Sequence, residues 1–133
     1  MRKSLFIITP ILIILANISC GLVGQTEPEI HTINLHQDTS GFAIPDPLEI
    51  NPGDLVVFHS EKGRFLIRIK HADEFFVTES SFIQFTLNDG ETSSALRSRS
   101  GLDAYDRIEY DIVCLTTGVG IEAPPRIIVK PQH

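Results

Sequence analysis

Ile50-Asn51-Pro52-Gly53-Asp54-Leu55-Val56-Val57-Phe58 decides how the chain is read. Pro52 fixes its own φ and Gly53 is free to take a positive one, so Asn51 to Asp54 predicts a tight turn. The run Leu55 to Phe58 behind it is short and rich in β-branched and aromatic side chains, which predicts a central strand apolar on both faces. After a turn at Ser60-Glu61-Lys62-Gly63 comes Arg64-Phe65-Leu66-Ile67-Arg68-Ile69-Lys70. This second strand is expected to pair with the first or to pack across the core from it.

The same grammar extends in both directions. Ile30, Ile33 and Leu35 alternate with polar His31, Asn34 and His36, as in a half-buried strand. Gly41 to Ile50 reads as another extended segment, which Pro45 and Pro47 confine to an edge or a bend. Downstream, Phe75-Phe76-Val77-Thr78 and Phe82 to Leu87 are β-rich runs, the latter closed by the turn signal Asn88-Asp89-Gly90. Ser93 to Asp103 is polar and reads as loop, Ile108 to Leu115 alternates cleanly, and Arg126 to Lys130 supplies a closing strand. Beyond the first residues no stretch keeps a helical period over three turns, and there is no internal repeat. About seven or eight short strands at this spacing predict an all-β chain, an antiparallel Greek-key β-sandwich.

Residues 1–20 are expected to be a cleaved signal peptide: Arg2 and Lys3, an apolar run from Leu5 to Ala16, then polar Asn17-Ile18-Ser19-Cys20. That run is interrupted by Pro10 and falls short of the roughly 20 apolar residues that cross a bilayer. Residues 21–29 read as a linker and 30–133 as one domain. Cys20, between small Ser19 and Gly21, is the expected lipidation site of a bacterial lipoprotein; cleavage near Ser19 or Gly24 is the alternative. The expectation is an exported protein, anchored in a bacterial membrane facing the periplasm or cell surface, otherwise secreted. Loss of the leader removes Arg2 and Lys3 and no acid, so 11 basic residues fall to 9 against 17 acidic ones, a net charge of −8. Such a surface repels phosphate backbones, which argues against nucleic acid. The expected partner is a protein of the cell envelope, with the membrane reached only through the lipid anchor.

Three short motifs carry a family resemblance. Ile50 to Phe58 looks like the cupredoxin turn and strand, Leu87-Asn88-Asp89-Gly90-Glu91 like that family's Leu-x-x-Gly-Glu turn, and Tyr110-Asp111-Ile112-Val113-Cys114 like its Tyr-x-x-x-Cys strand. The chain thus resembles the cupredoxin, or blue-copper-type, family from about Ile30 to Lys130, and the resemblance implies the Greek-key sandwich. It also implies a copper site of one thiolate, two imidazoles and a weak axial Met. Cys114 stands at the thiolate position, but Thr117 occupies the second His position and Phe65-Leu66-Ile67 the region of the first. The single methionine is Met1. The expectation is a degenerate relative with no metal site and no cofactor.

Cys114 then reads as a small buried hydrophobe, with a disulfide to Cys20 or an unrecognised metal site as alternatives. His31 and His36 are five residues apart and point to opposite faces of a strand. A metal site from His59 and His71 with Asp73 or Glu74 is weighed against exposed strand-end histidines. There is no Gly-x-Ser-x-Gly turn and no catalytic residue is assigned, so the protein is not read as an enzyme. Arg97, Arg99 and Arg107 either form an anion site or pair with Asp103, Asp106 and Glu109. The loop Thr117 to Pro125 carries Val119, Ile121, Pro124 and Pro125 between glycines, a candidate interaction loop unless it tucks over the end of the domain. The function expected is a non-catalytic, metal-free binding or structural module at the bacterial cell envelope. Two alternatives remain: a metal-handling periplasmic protein with a non-standard site from His59, His71 and Cys114, and an immunoglobulin-like adhesion domain. The absence of Trp counts against the antibody form of the latter.

Overall fold

A computed structural model describes residues 27–38, 41–121 and 123–131. Eleven strands and one helical turn occupy them: β1 Ile30–His36, β2 Ala43–Ile44, β3 Leu48–Ile50, β4 Leu55–Lys62, β5 Phe65–Lys70, α1 Ala72–Phe75, β6 Phe82–Leu87, β7 Leu96–Arg97, β8 Arg107–Glu109, β9 Asp111–Cys114, β10 Val119–Gly120 and β11 Arg126–Val129. The chain is all-β in class. Among the described residues no helix is long and apolar enough to cross a membrane. The expected leader, with Cys20 inside it, lies outside them.

The strands form three sheets, ordered β2-β1-β4-β7, β10-β9-β5-β6 and β3-β11-β8. Burial alternates along both long central strands, where the sequence led to an expectation of a first strand apolar on both faces. Val56, Phe58 and Ser60 of β4 are buried while Leu55, Val57 and His59 are half-buried, so β4 has one core face rather than two. In β5, Phe65, Ile67 and Ile69 are buried. The two strands do not pair; they belong to different sheets and face one core, where the Phe58 ring lies 5.6 Å from Phe85 of β6 and 5.2 Å from Tyr110.

Several expectations are corrected. The pairing is not wholly antiparallel: β1 runs parallel to β4, and β3 parallel to β11. After β2 the chain crosses to the third sheet as β3, so it returns to the first sheet beside β1 in the same direction, which only a crossover permits. The segment Gly41 to Ile50 is accordingly two strands, divided at Pro45 and Pro47. Ile108 to Leu115 is also two strands, β8 and β9, which join different sheets at Tyr110, whose amide donates to the Pro125 carbonyl (3.1 Å). Phe75 to Thr78 is no strand. Ala72 to Phe75 forms one helical turn, seating Phe75 and Phe76 in the core with ring centroids 5.1 Å apart. Packing of two adjacent aromatics overrides strand propensity here. The polar stretch from Ser93 contains β7, which pairs with the start of β4.

Tyr110 brings the one phenol of the described core, and its hydroxyl is buried without a hydrogen-bond partner among the described residues. Burial, reinforced by the Asp46 carboxylate, pushes its pKa well above the ordinary 10.0, so the group stays neutral. A buried hydroxyl without a partner costs about 1–3 kcal/mol of desolvation. Tyr110→Phe is therefore expected to leave stability unchanged or raise it by up to about 1 kcal/mol. A loss above about 1 kcal/mol in urea unfolding would show that the hydroxyl has an acceptor in solution.

Candidate functional site

The turn that begins the central strand also builds the tightest polar cluster. Asp54 is 4% exposed. Its Oδ1 accepts the Glu29 amide (3.0 Å), and its Oδ2 accepts the Asn51 amide (3.0 Å) and lies 2.8 Å from His31 Nε2. Glu29 Oε2 stands 3.6 Å from the same imidazole nitrogen. Burial alone would push the Asp54 carboxyl up, but the hydrogen bonds from His31, Glu29 and Asn51, with the nearby His31 charge, bring it below the ordinary 3.8. Asp54 thus closes its own turn and ties it to the start of β1. Glu29, His31 and Asp54 also offer ligand atoms within 4.8 Å of one another, the one such group of three among the described residues.

The histidines and cysteine of the alternative metal site are dispersed. His59 Nδ1 lies 2.8 Å from Thr92 Oγ1. His71 is exposed at the end of β5 and faces Glu74 at 3.6 Å. Cys114 is fully buried and, among the described residues, forms no disulfide, Cys20 lying outside them; it is paired in register with Phe65, at the opposite end of β5. Six residues of strand separate Phe65 from His71, about 20 Å at 3.3 Å per residue, so Cys114 and His71 cannot share an ion. His36 Nε2 is 3.1 Å from Glu61 Oε2.

The arginines do not form a cluster either. Arg99 Nε donates to the Asp73 carbonyl (2.6 Å) and Arg97 Nη1 to the Gly53 carbonyl (3.5 Å). Asp106, expected to pair with them, instead accepts the Asp103 amide (2.8 Å). Arg107 lines a cleft of about 550 Å³ between β5, α1 and β8. Arg68, Lys70, His71 and Arg107 contribute positive or titratable groups to it, and Glu74, Asp106, Glu109 and Asp111 contribute carboxylates. The Arg68 Nε is covered and has no hydrogen-bond partner.

The candidate interaction loop is half inside. Val119 is 53% exposed, in the short hairpin that β10 makes with β9. Ile121 packs against the core and donates its amide to the Ile112 carbonyl (3.2 Å). Pro125 is buried, while Pro124 is exposed and lines the cleft. The outward part of the loop is therefore Val119 and Pro124. Sequence reading missed the cleft and the Asp54 cluster, because each assembles residues distant in the chain. The one available signal was the Asn-Pro-Gly-Asp turn, which brings the Asp54 carboxylate back to the Asn51 amide.

No protein-family description matches the chain, and no curated protein is significantly similar to it.

Proposed function

We propose that the protein is a non-catalytic, metal-free binding or structural module of the bacterial cell envelope, on a Greek-key, cupredoxin-like scaffold. The observation that carries this reading is the cleft between β5, α1 and β8. It has the size of a ligand site, and charges of both signs line it. Such a lining suits a polar segment of a partner protein, with Pro124 as an apolar contact at its rim. The expected leader supports an encounter outside the cytoplasm. A photo-crosslinking side chain at Leu102 or Pro124 is expected to yield one defined adduct in envelopes, and one at exposed Glu49 on β3 none. Stoichiometric metal in the purified protein, or turnover of a substrate, would overturn the reading.

One observation favours the metal-handling alternative, with a different residue set. Glu29, His31 and Asp54 present one imidazole and two carboxylates at ligand spacing. Metal content and copper(II) absorption of the purified protein without reductant separate the two readings: bound ion lost in His31→Ala would establish the second.

A further inference from the structure

The sheet edges of this protein are unequal. β2, β7 and β10 are two residues long and β3 and β8 three, and short edge strands of this kind resist pairing with another chain. β6 is also an edge, yet it runs six residues, Phe82-Ile83-Gln84-Phe85-Thr86-Leu87. It has no lysine, no proline and no charged residue anywhere between Ser80 and Asn88. Among the described residues, none of the charge, proline or short-strand devices that blunt an edge is present along it.

Its backbone shows which groups are open. Both main-chain groups of Phe82 are served by the Ser80 hydroxyl, which accepts the Phe82 amide (3.3 Å) and donates to the Phe82 carbonyl (2.5 Å), so these groups point away from β5. Antiparallel strands alternate bonded and unbonded positions. Gln84 and Thr86 therefore turn their amides and carbonyls outward too, while Ile83, Phe85 and Leu87 bond to Ile69, Ile67 and Phe65. On the core side Ile83 and Phe85 are half-buried at the open flank of the hydrophobic core.

We propose that this edge joins a second copy of the same chain, β6 against β6, in a two-fold antiparallel pair centred on Gln84. The strand is complementary to itself in that register. Gln84 exchanges both hydrogen bonds with Gln84 of the second copy, and Phe82 lies opposite Thr86, whose main-chain groups take the place of the Ser80 hydroxyl on those of Phe82. Ile83 meets Phe85 on the core side, an aromatic and β-branched pair of the kind that stabilises sheets, and it occurs twice. The absence of charge along the strand lets two acidic chains approach there. The charges meet at the ends, where Glu79 falls opposite Asp89, both exposed and open to screening by salt.

Sedimentation velocity of the purified protein over a range of concentrations tests this. The expected result is a monomer–dimer equilibrium that tightens when salt is raised, as the Glu79–Asp89 repulsion is screened. Gln84→Pro removes an outward amide and leaves the β5 ladder, and Thr86→Lys places a charge on the edge. Each is expected to weaken dimerisation at least about tenfold while the far-UV circular dichroism spectrum is kept. A single monomeric species up to about 1 mM, association that survives both substitutions, or a dimer that weakens as salt rises would each overturn the proposal.

Discussion

Replacing Asp54 by Ala is expected to lower the unfolding free energy at pH 7 by about 2–4 kcal/mol. The side chain accepts hydrogen bonds from two backbone amides, Glu29 and Asn51, and lies 2.8 Å from the His31 imidazole, all at 4% exposure. Alanine leaves those donors facing a cavity too covered for water to replace every bond. The turn before β4 and the lead into β1 would loosen together, because Asp54 is the group that joins them. Acid should reveal the same carboxylate. Its folded-state pKa lies below the ordinary 3.8, so the native state favours the charged form. That contribution is complete above the unfolded value and is lost as pH falls through the folded one. The gap in stability between the natural protein and Asp54→Asn should narrow as pH drops from 5 towards 2. Equal slopes for the two proteins over that range, or a cost at pH 7 under about 0.5 kcal/mol, would show that the cluster is not formed in solution.

Most strands were legible in the sequence. β1 lies where a period of two predicts it, and β4, β5 and β6 where short runs rich in β-branched and aromatic residues do. What failed was information held between distant segments. The parallel pairing of β1 with β4 depends on β3 leaving for another sheet, and nothing in residues 30–62 records that departure. The break at Tyr110 is similar: Ile108, Tyr110, Ile112 and Cys114 alternate without interruption, yet Tyr110 turns the chain from one sheet to the next. The candidate sites were harder still. Asp54 and His31 are 23 residues apart and meet only because β1 lies beside β4. The imagined meeting of His59, His71 and Cys114 rested on residue type, and strand length alone separates His71 from Cys114.

Phe58→Ala is expected to cost about 3–5 kcal/mol, the largest effect of any single substitution considered. The ring is fully buried on β4, where it reaches from the first sheet to the second: edge-on to Tyr110 at 5.2 Å and tilted against Phe85 at 5.6 Å. Removing it deletes apolar surface and leaves a cavity that Tyr110 cannot fill without carrying its unpartnered hydroxyl deeper. Neighbouring strands restrict collapse on every side, so the cavity term should sit near the upper end of its range. A domain of this size has about 5–15 kcal/mol in total, so the variant should unfold at much lower urea with little change in slope. Val77→Ala makes the comparison, since Val77 is as apolar but 59% exposed and should change stability by less than about 0.5 kcal/mol. If urea titration gave Phe58→Ala a cost no larger than Val77→Ala, the two sheets would not be packed through this ring, and the shared core would have to be abandoned.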